Sequence, residues 1–282
     1  MNSEMLEKLG PFREEALARD IPSDDVERWI GIARPCATLS AVENGPVVAQ
    51  FGGPLMLPVD APAPRFPFVA SIDCAALPEG ATDLLLPPDG QLLLFAFPDN
   101  EHNVSMGEVL YVPAGTIVEE RAKDSHFFAE IPEYWEICRA FPQGPLRMTA
   151  NVSLPYHCWT EILDEPWHAP LPGHPYSEQL RDVWLDKEKD ITARGPLRVG
   201  GYASDERNEL DPVAEAASLE VQQAGERAGT GTAHAAEDWV LLAEWHPGIS
   251  GREGATVHWV IRRDDLAARR FGQVRVTVFW NP

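Results

Sequence analysis

Prolines break this chain about once in eleven residues: there are 26 in 282, against a typical usage of roughly 5%. A proline has no N–H to give to a helix or a sheet ladder, and its ring fixes φ. A chain punctuated this densely folds into short strands and turns, with few long helices. It is not too polar to fold. Apolar residues are 44% and charged residues 24% of the total, which is ordinary for a globular protein and excludes wholesale disorder. The length of 282 residues gives a prior of one or two domains.

Charge narrows the partners. Lys+Arg is 23 and Asp+Glu is 44, so the formal net charge is 23 − 44 = −21. A surface this negative repels phosphate backbones and anionic lipid. Nucleic acid and membrane are therefore not expected as partners; a basic protein partner, a metal ion or a cationic ligand is compatible with this charge. No apolar run approaches the ~18 residues of a membrane span. The opening Met1-Asn2-Ser3-Glu4 leads into an acidic amphipathic stretch rather than a secretory signal. The four cysteines, Cys36, Cys74, Cys138 and Cys158, form no CxxC pair. A cytoplasmic location with reduced thiols is the expectation.

Periodicity predicts a helix over residues 3–19, split at Gly10-Pro11, and a second over 23–33 with Ser23 as cap. Residues 34–45 read as extended. Val47–Phe51 reads as a strand stopped by Gly52-Gly53-Pro54. Phe66–Ile72, Gly90–Phe97 and Trp239–Trp245 are near-continuous apolar runs, which predicts adjoining inner strands of one sheet. Glu108–Val112 and Thr116–Glu120 read as a hairpin, and Met148–Leu154 as a strand. Residues 155–175 read as a chain of turns. Helices are expected at 177–189, capped by Ser177, and at 211–223, with Asp211 as cap and Pro212 in the first turn. Residues 224–236 are small and glycine-rich and read as a mobile loop. Ala255–Arg262 and Val274–Trp280 are further strands.

Phe68-Val69-Ala70-Ser71-Ile72-Asp73 and Leu241-Leu242-Ala243-Glu244-Trp245-His246 echo one another, each followed by a turn and a glycine-led strand. The fold class that follows is α+β: a mostly antiparallel twisted sheet with peripheral helices and two echoed ββ units. The division expected is an N-terminal helical segment, 1–45, packed on a single domain, 46–282.

Phe51-Gly52-Gly53-Pro54-Leu55-Met56-Leu57-Pro58, Phe68–Asp73, Leu86-Pro87-Pro88-Asp89-Gly90-Gln91-Leu92, Gly200-Gly201-Tyr202, Trp239–Glu244 and Ile261–Leu266 occur in an order that resembles the YwqG-like family of bacterial proteins, a domain of unknown function. The chain departs from that family's pattern at Ser71 and Glu244, where the family usually carries Gln. The resemblance implies an α+β fold and no settled activity. It also implies an immunity-type role, binding a partner such as a toxin.

Asp73, Glu244, His246 and Asp265 lie at strand ends of the echoed units, and Trp245 beside them is an anchor of the type favoured at interfaces. Asp73 and Glu244 are expected at equivalent places, on one face near His246, able to share a cationic ligand. The densest set of metal-competent side chains is His157, Cys158, Glu161, His168 and His174. It lacks HExxH and helical i, i+4 spacing, so no metal and no cofactor is expected. No nucleotide, hydrolase or dinucleotide motif occurs. The leading expectation is a non-enzymatic partner-binding protein. The alternative is an enzyme of unassigned reaction with a cleft between the two echoed units.

Overall fold

The computed structural model describes residues 3–99, 105–123, 131–161, 168–204, 211–228 and 238–280. Three helices open the chain, α1 (Ser3–Glu7), α2 (Gly10–Ala18) and α3 (Ser23–Ile30), the first two parted at Gly10-Pro11 as the sequence requires. Strands β1 (Arg34–Ser40), β2 (Val47–Phe51), β3 (Leu55–Pro58), β4 (Phe68–Asp73), β5 (Gln91–Ala96), β6 (Gly107–Val112) and β7 (Val118–Arg121) follow. Next come α4 (Pro132–Arg139), β8 (Gly144–Ser153), β9 (Trp159–Glu161), β10 (His168–Pro170), α5 (Ser177–Ile191) and β11 (Leu197–Gly200). The chain closes with α6 (Pro212–Ala228), β12 (Trp239–Trp245), β13 (Thr256–Arg262), α7 (Arg263–Ala267) and β14 (Arg275–Phe279).

Ten strands form one antiparallel sheet in the order β14-β13-β12-β11-β1-β8-β2-β4-β5-β6. This is the expected α+β fold. The order is a palindrome of two five-strand halves, β1-β2-β4-β5-β6 and β8-β11-β12-β13-β14. Each half lends its first strand to the other, so β1 and β8 pair at the centre. The sheet curls until its edges meet: Met106 N donates to Val276 O (3.1 Å), and Val276 N to Ser105 Oγ (3.0 Å). Gly107 makes that approach possible, since a Cβ there would stand 2.3 Å from Phe95 O and 3.1 Å from Val276 Cγ1.

The halves match in detail. The second strand of each ends in two left-handed glycines, Gly52-Gly53 (φ 57°, 76°) and Gly200-Gly201 (φ 71°, 80°), a conformation glycine adopts at little cost. The third strand of each carries a bulge, between Phe68 and Ala70 in β4 and between Leu241 and Ala243 in β12. The bulge shifts the side-chain alternation by one. Val69 and Ala70 therefore both face the inner core, as do Leu242 and Ala243, while Ser71 and Glu244 stay outside. Ser71, not Asp73, is thus the counterpart of Glu244, and Asp73 that of His246.

The curled sheet encloses one apolar core drawn from both halves. Its outer face is covered in sections. The N-terminal helices and α5 cover β8, with Phe12, Trp29 and Trp184 against Val152 and Leu154. Helix α6 covers β12 and β13 through Val213, Ala216 and Ala217. The β3–β7 ribbon covers Leu93 and Phe95 with Leu55 and Leu57.

Five expectations are corrected. β4 and β5 adjoin, but β12 lies five strands from β4 in the same sheet, because β11, β1, β8 and β2 intervene. β7 pairs with β3 rather than β6, since this seats Leu55 and Leu57 on the outer apolar row. The 155–175 segment contains a two-stranded ladder, β9–β10. Helix α6 continues to Ala228, past the expected end at 223; of the expected loop, residues 229–236 lie outside the described residues. Asp211 caps α6 as expected, its Oδ1 accepting from Val213 N at 2.9 Å. Ser177 does not cap α5; its Oγ donates to Cys158 O (2.8 Å) and accepts from Leu171 N (3.2 Å), closing the preceding loop.

Leu93 is 2% exposed between the sheet and the β3–β7 ribbon. Leu93→Asp would bury an unpaired carboxylate, at a cost of several kcal/mol, and is expected to abolish the cooperative thermal transition followed by circular dichroism. Leu93→Ala, costing about 2–5 kcal/mol, is expected to lower the midpoint and keep the transition.

Candidate functional site

Register places one polar residue from each of four neighbouring strands in a single row. Thr38 of β1 faces Arg198 of β11, Arg198 faces Glu244 of β12, and Glu244 faces His258 of β13. Their chain neighbours Leu197, Val199, Ala243 and Trp259 point into the inner core, so alternation sends the row to the outer face. All four are buried. The bulge in β12 decides this. Without it Glu244 would fall on the inner face, among apolar side chains.

Glu244 is held from all sides. Oε1 accepts from Arg198 Nη2 (2.8 Å) and Ser204 Oγ (3.0 Å), and lies 3.1 Å from His246 Nε2. Oε2 accepts from Ser204 N (2.7 Å), with His258 Nε2 at 3.6 Å. His258 Nε2 also lies 2.6 Å from Ser204 O, which only accepts, so that nitrogen carries the proton. Arg198 donates further to Tyr202 O and to Tyr156 Oη (2.9 Å). The row thereby ties the segment 202–204, just past the glycine pair, to the sheet.

Above the row the cover is incomplete. A cleft of about 290 Å³ opens between β11–β12 and the end of α5. Arg198 and Glu244 form its floor; Tyr156 and Glu188 form one wall, and Arg194 and His246 stand at its mouth. Asn151 holds the 192–195 turn in place through Ala193, with Nδ2 on Ala193 O (3.1 Å) and Oδ1 on Ala193 N (3.3 Å). Tyr156 Oη donates to Glu188 Oε1. Glu188 is half-buried, and no partner of its Oε2 occurs among the described residues.

Protonation in the floor is fixed. Burial pushes the Glu244 carboxyl up, but Arg198, with His246 and His258, more than offsets this and holds it well below the usual carboxylate range. Burial also opposes the Arg198 charge, and Glu244 outweighs it, so the guanidinium stays charged. Burial, beside Glu188, raises the Tyr156 phenol well above its ordinary value against the pull of Arg198. Burial pushes the Cys36 thiol at the cleft wall to about 12, leaving no thiolate to act as a nucleophile at neutral pH. These groups are suited to hydrogen-bonding a ligand. They are poorly placed to exchange protons with one.

Of the residues singled out in the sequence, Glu244 and His246 meet here. Trp245 lies on the opposite face, fully buried against Phe51 and Phe141 (ring centroids 6.3 and 5.1 Å apart). Asp73 is in the other half of the sheet, where its Oδ1 caps a 3-10 turn by accepting from Ala75 N (3.0 Å). Asp265 is buried at the far end of β13 with Arg262 and Arg270. His157 and Cys158 are buried, and burial pushes the Cys158 thiol to about 11. His174 packs edge-on against Trp29 (5.3 Å), and burial, then Arg28, lowers its pKa. The His168 backbone pairs with Glu161 in the β9–β10 ladder. Among the described residues no three of His, Cys, Asp and Glu come together as a metal site.

Arg198, Tyr156, Glu188 and Ser204 escaped the sequence reading. One signal existed for the first: an arginine inside Leu197-Arg198-Val199-Gly200, a four-residue strand that is otherwise apolar. The others come together only when α5 docks on the sheet.

A family profile described as a domain of unknown function, DUF1963, matches residues 49–279. No curated protein matches the chain.

Removing one partner of a buried ion pair leaves an uncompensated charge, at a cost of about 3–5 kcal/mol. Arg198→Met is expected to lose about that much in urea unfolding at neutral pH. Arg198→Met with Glu244→Leu is expected to recover most of it. The Glu244 pKa is depressed in the folded state, so its contribution is complete above the unfolded value of about 4.3 and lost as pH falls through the folded one. The stability gap between the wild type and Glu244→Gln should therefore narrow as unfolding is measured from about pH 7 down to about pH 2.

Proposed function

The chain belongs to the DUF1963 family, a domain of unknown function, and from that premise we propose that it is a non-enzymatic protein that binds a basic partner and takes one of that partner's cationic side chains into the cleft. The single observation that carries this reading is the state of the cleft's ionisable groups. Arg198 and Glu244 neutralise each other in the floor, and Tyr156 and Cys36 are held protonated by burial. Glu188 is left as the carboxylate of the inner wall, with the exposed Arg194 at the mouth. An ammonium or guanidinium group is the natural complement of such a carboxylate. The net charge of −21 would draw a basic protein from a distance and orient it on approach.

On this reading the chain is a bacterial, YwqG-like, cytoplasmic protein of the immunity type, with a toxin-like protein as its partner. No helix among the described residues is long and apolar enough to cross a membrane. One observation favours an enzyme instead. His246 is 46% exposed at the cleft mouth and 3.1 Å from a carboxylate, a contact that can orient an imidazole as a base.

The test is fluorescence anisotropy with a labelled hexa-arginine peptide and a hexa-glutamate control at physiological salt. The arginine peptide is expected to bind and the glutamate peptide not. Glu188→Gln should weaken binding about tenfold, the loss of one charge-assisted contact. Glu79→Gln, which removes the same charge from an exposed loop of the other half, should leave it unchanged. Equal loss in both variants, or none in either, would sink the assignment of the cleft.

A further inference from the structure

Within this acidic chain the last stretch is basic: residues 251–282 contain six arginines and three acids. Arg262, Arg263 and Arg270 line a depression of about 420 Å³ at the end of the sheet where β12 begins and β13 ends. The cleft lies at the other end of β12. Seven residues at about 3.3 Å each separate the two ends.

One buried carboxylate organises this depression. The Asp265 side chain is 5% exposed. Its Oδ1 accepts from Arg270 Nε at 2.7 Å, and its Oδ2 lies 2.9 Å from Arg262 Nε. The Asp265 carbonyl also accepts from Arg270 N (2.8 Å), fixing the turn that carries the second arginine. Asp265 therefore hydrogen-bonds Arg270 through Nε and holds Arg262 by an ion pair at the Nε edge that is not aligned as a hydrogen bond. The Nη nitrogens of both arginines have no partner among the described residues. Arg262 is steadied further by the Trp239 ring, 5.7 Å from its guanidinium carbon. Arg263 is exposed and makes no ion pair among the described residues. Gln273 adds an amide to the wall. Two exposed acids, Asp238 and Asp264, complete the lining. They keep the depression near neutral overall, so recognition there depends on short-range geometry.

We infer that this depression is a second binding site, one for an oxyanion, the phosphate or carboxylate group of a small molecule. The Nη edges of two arginines held in place by a shared aspartate match the paired oxygens of such a group, and Arg263 closes on it from the rim. Asp265 is the positioning residue. It touches no ligand, and its charge is what holds the two guanidinium groups in one place.

Isothermal titration with inorganic phosphate and with succinate, at ionic strength held constant by sodium chloride, tests this. At least one probe is expected to bind saturably, and which one binds identifies the source of the oxyanion. Arg263→Gln, at an exposed position with no ion pair among the described residues, and Arg270→Gln, whose fold is checked by its thermal transition because it takes one partner from the buried Asp265, are each expected to weaken binding about tenfold. Arg65→Gln, an exposed arginine elsewhere, should not change it. The inference falls if neither probe saturates, if both arginine variants bind as the wild type does, or if Arg65→Gln loses as much as they do.

Discussion

Arg198 and Glu244 meet 2.8 Å apart inside the protein, and neither charge could be buried there alone. Taking each ion out of water costs several kcal/mol, and mutual attraction recovers this only if the remaining donors and acceptors are also met. That condition explains the arrangement around the pair. Ser204 presents both its N–H and its hydroxyl to the carboxylate. Tyr156 and the Tyr202 carbonyl take the guanidinium. Ser204 and Tyr202 share the segment after Gly201 and Tyr156 lies on another, so the ion pair ties both segments to the sheet, leaving only Arg198 Nε of its polar atoms without a hydrogen-bond partner.

The two halves of the sheet share a backbone plan and differ in what they do with it. Both have a glycine pair after the second strand and a bulge in the third. In the first half the outer row is Gln50, Ser71 and Leu93, and the β3–β7 ribbon buries its apolar end. In the second half the equivalent row is Arg198, Glu244 and His258. The same strand geometry therefore supports an apolar layer on one side and a polar cleft on the other. The difference lies in three side chains and in which element covers them.

Charged groups gather at both ends of β12. Its end at Trp245 opens on the cleft, where Glu188 lines the wall and Arg194 the mouth. Its start at Trp239 adjoins the depression where Asp265 holds Arg262 and Arg270, with Arg263 at the rim. The bridging element is rigid, with every residue of β12 buried. A ligand at either end would meet groups already oriented, which reduces the ordering cost of binding.

Much of the fold was legible because it depends on local chemistry. The break at Gly10-Pro11, the Asp211-Pro212 start of α6 and the run Trp239–Trp245 each impose their element whatever surrounds them. The glycine pairs were visible, and so was the echo between 68–73 and 241–246. The bulges were not, since Val69 and Leu242 look like any other apolar residue in a strand. Their one-residue shift decides that Glu244 counters Ser71 and faces outward. The order of strands was hidden for a related reason. An apolar run says that a strand is covered on both faces and says nothing of which strand lies beside it, so β12 could not be placed away from β4 and β5. The sequence alone determined most of the strands and helices, though not β3, α4, β9, β10 or β11, and that two of the strand pairs are alike. Only the tertiary structure decided that Arg198, Glu244 and His258, spread over sixty-one positions, share a row, because cross-strand neighbours are chosen by register, and register is set by the whole sheet.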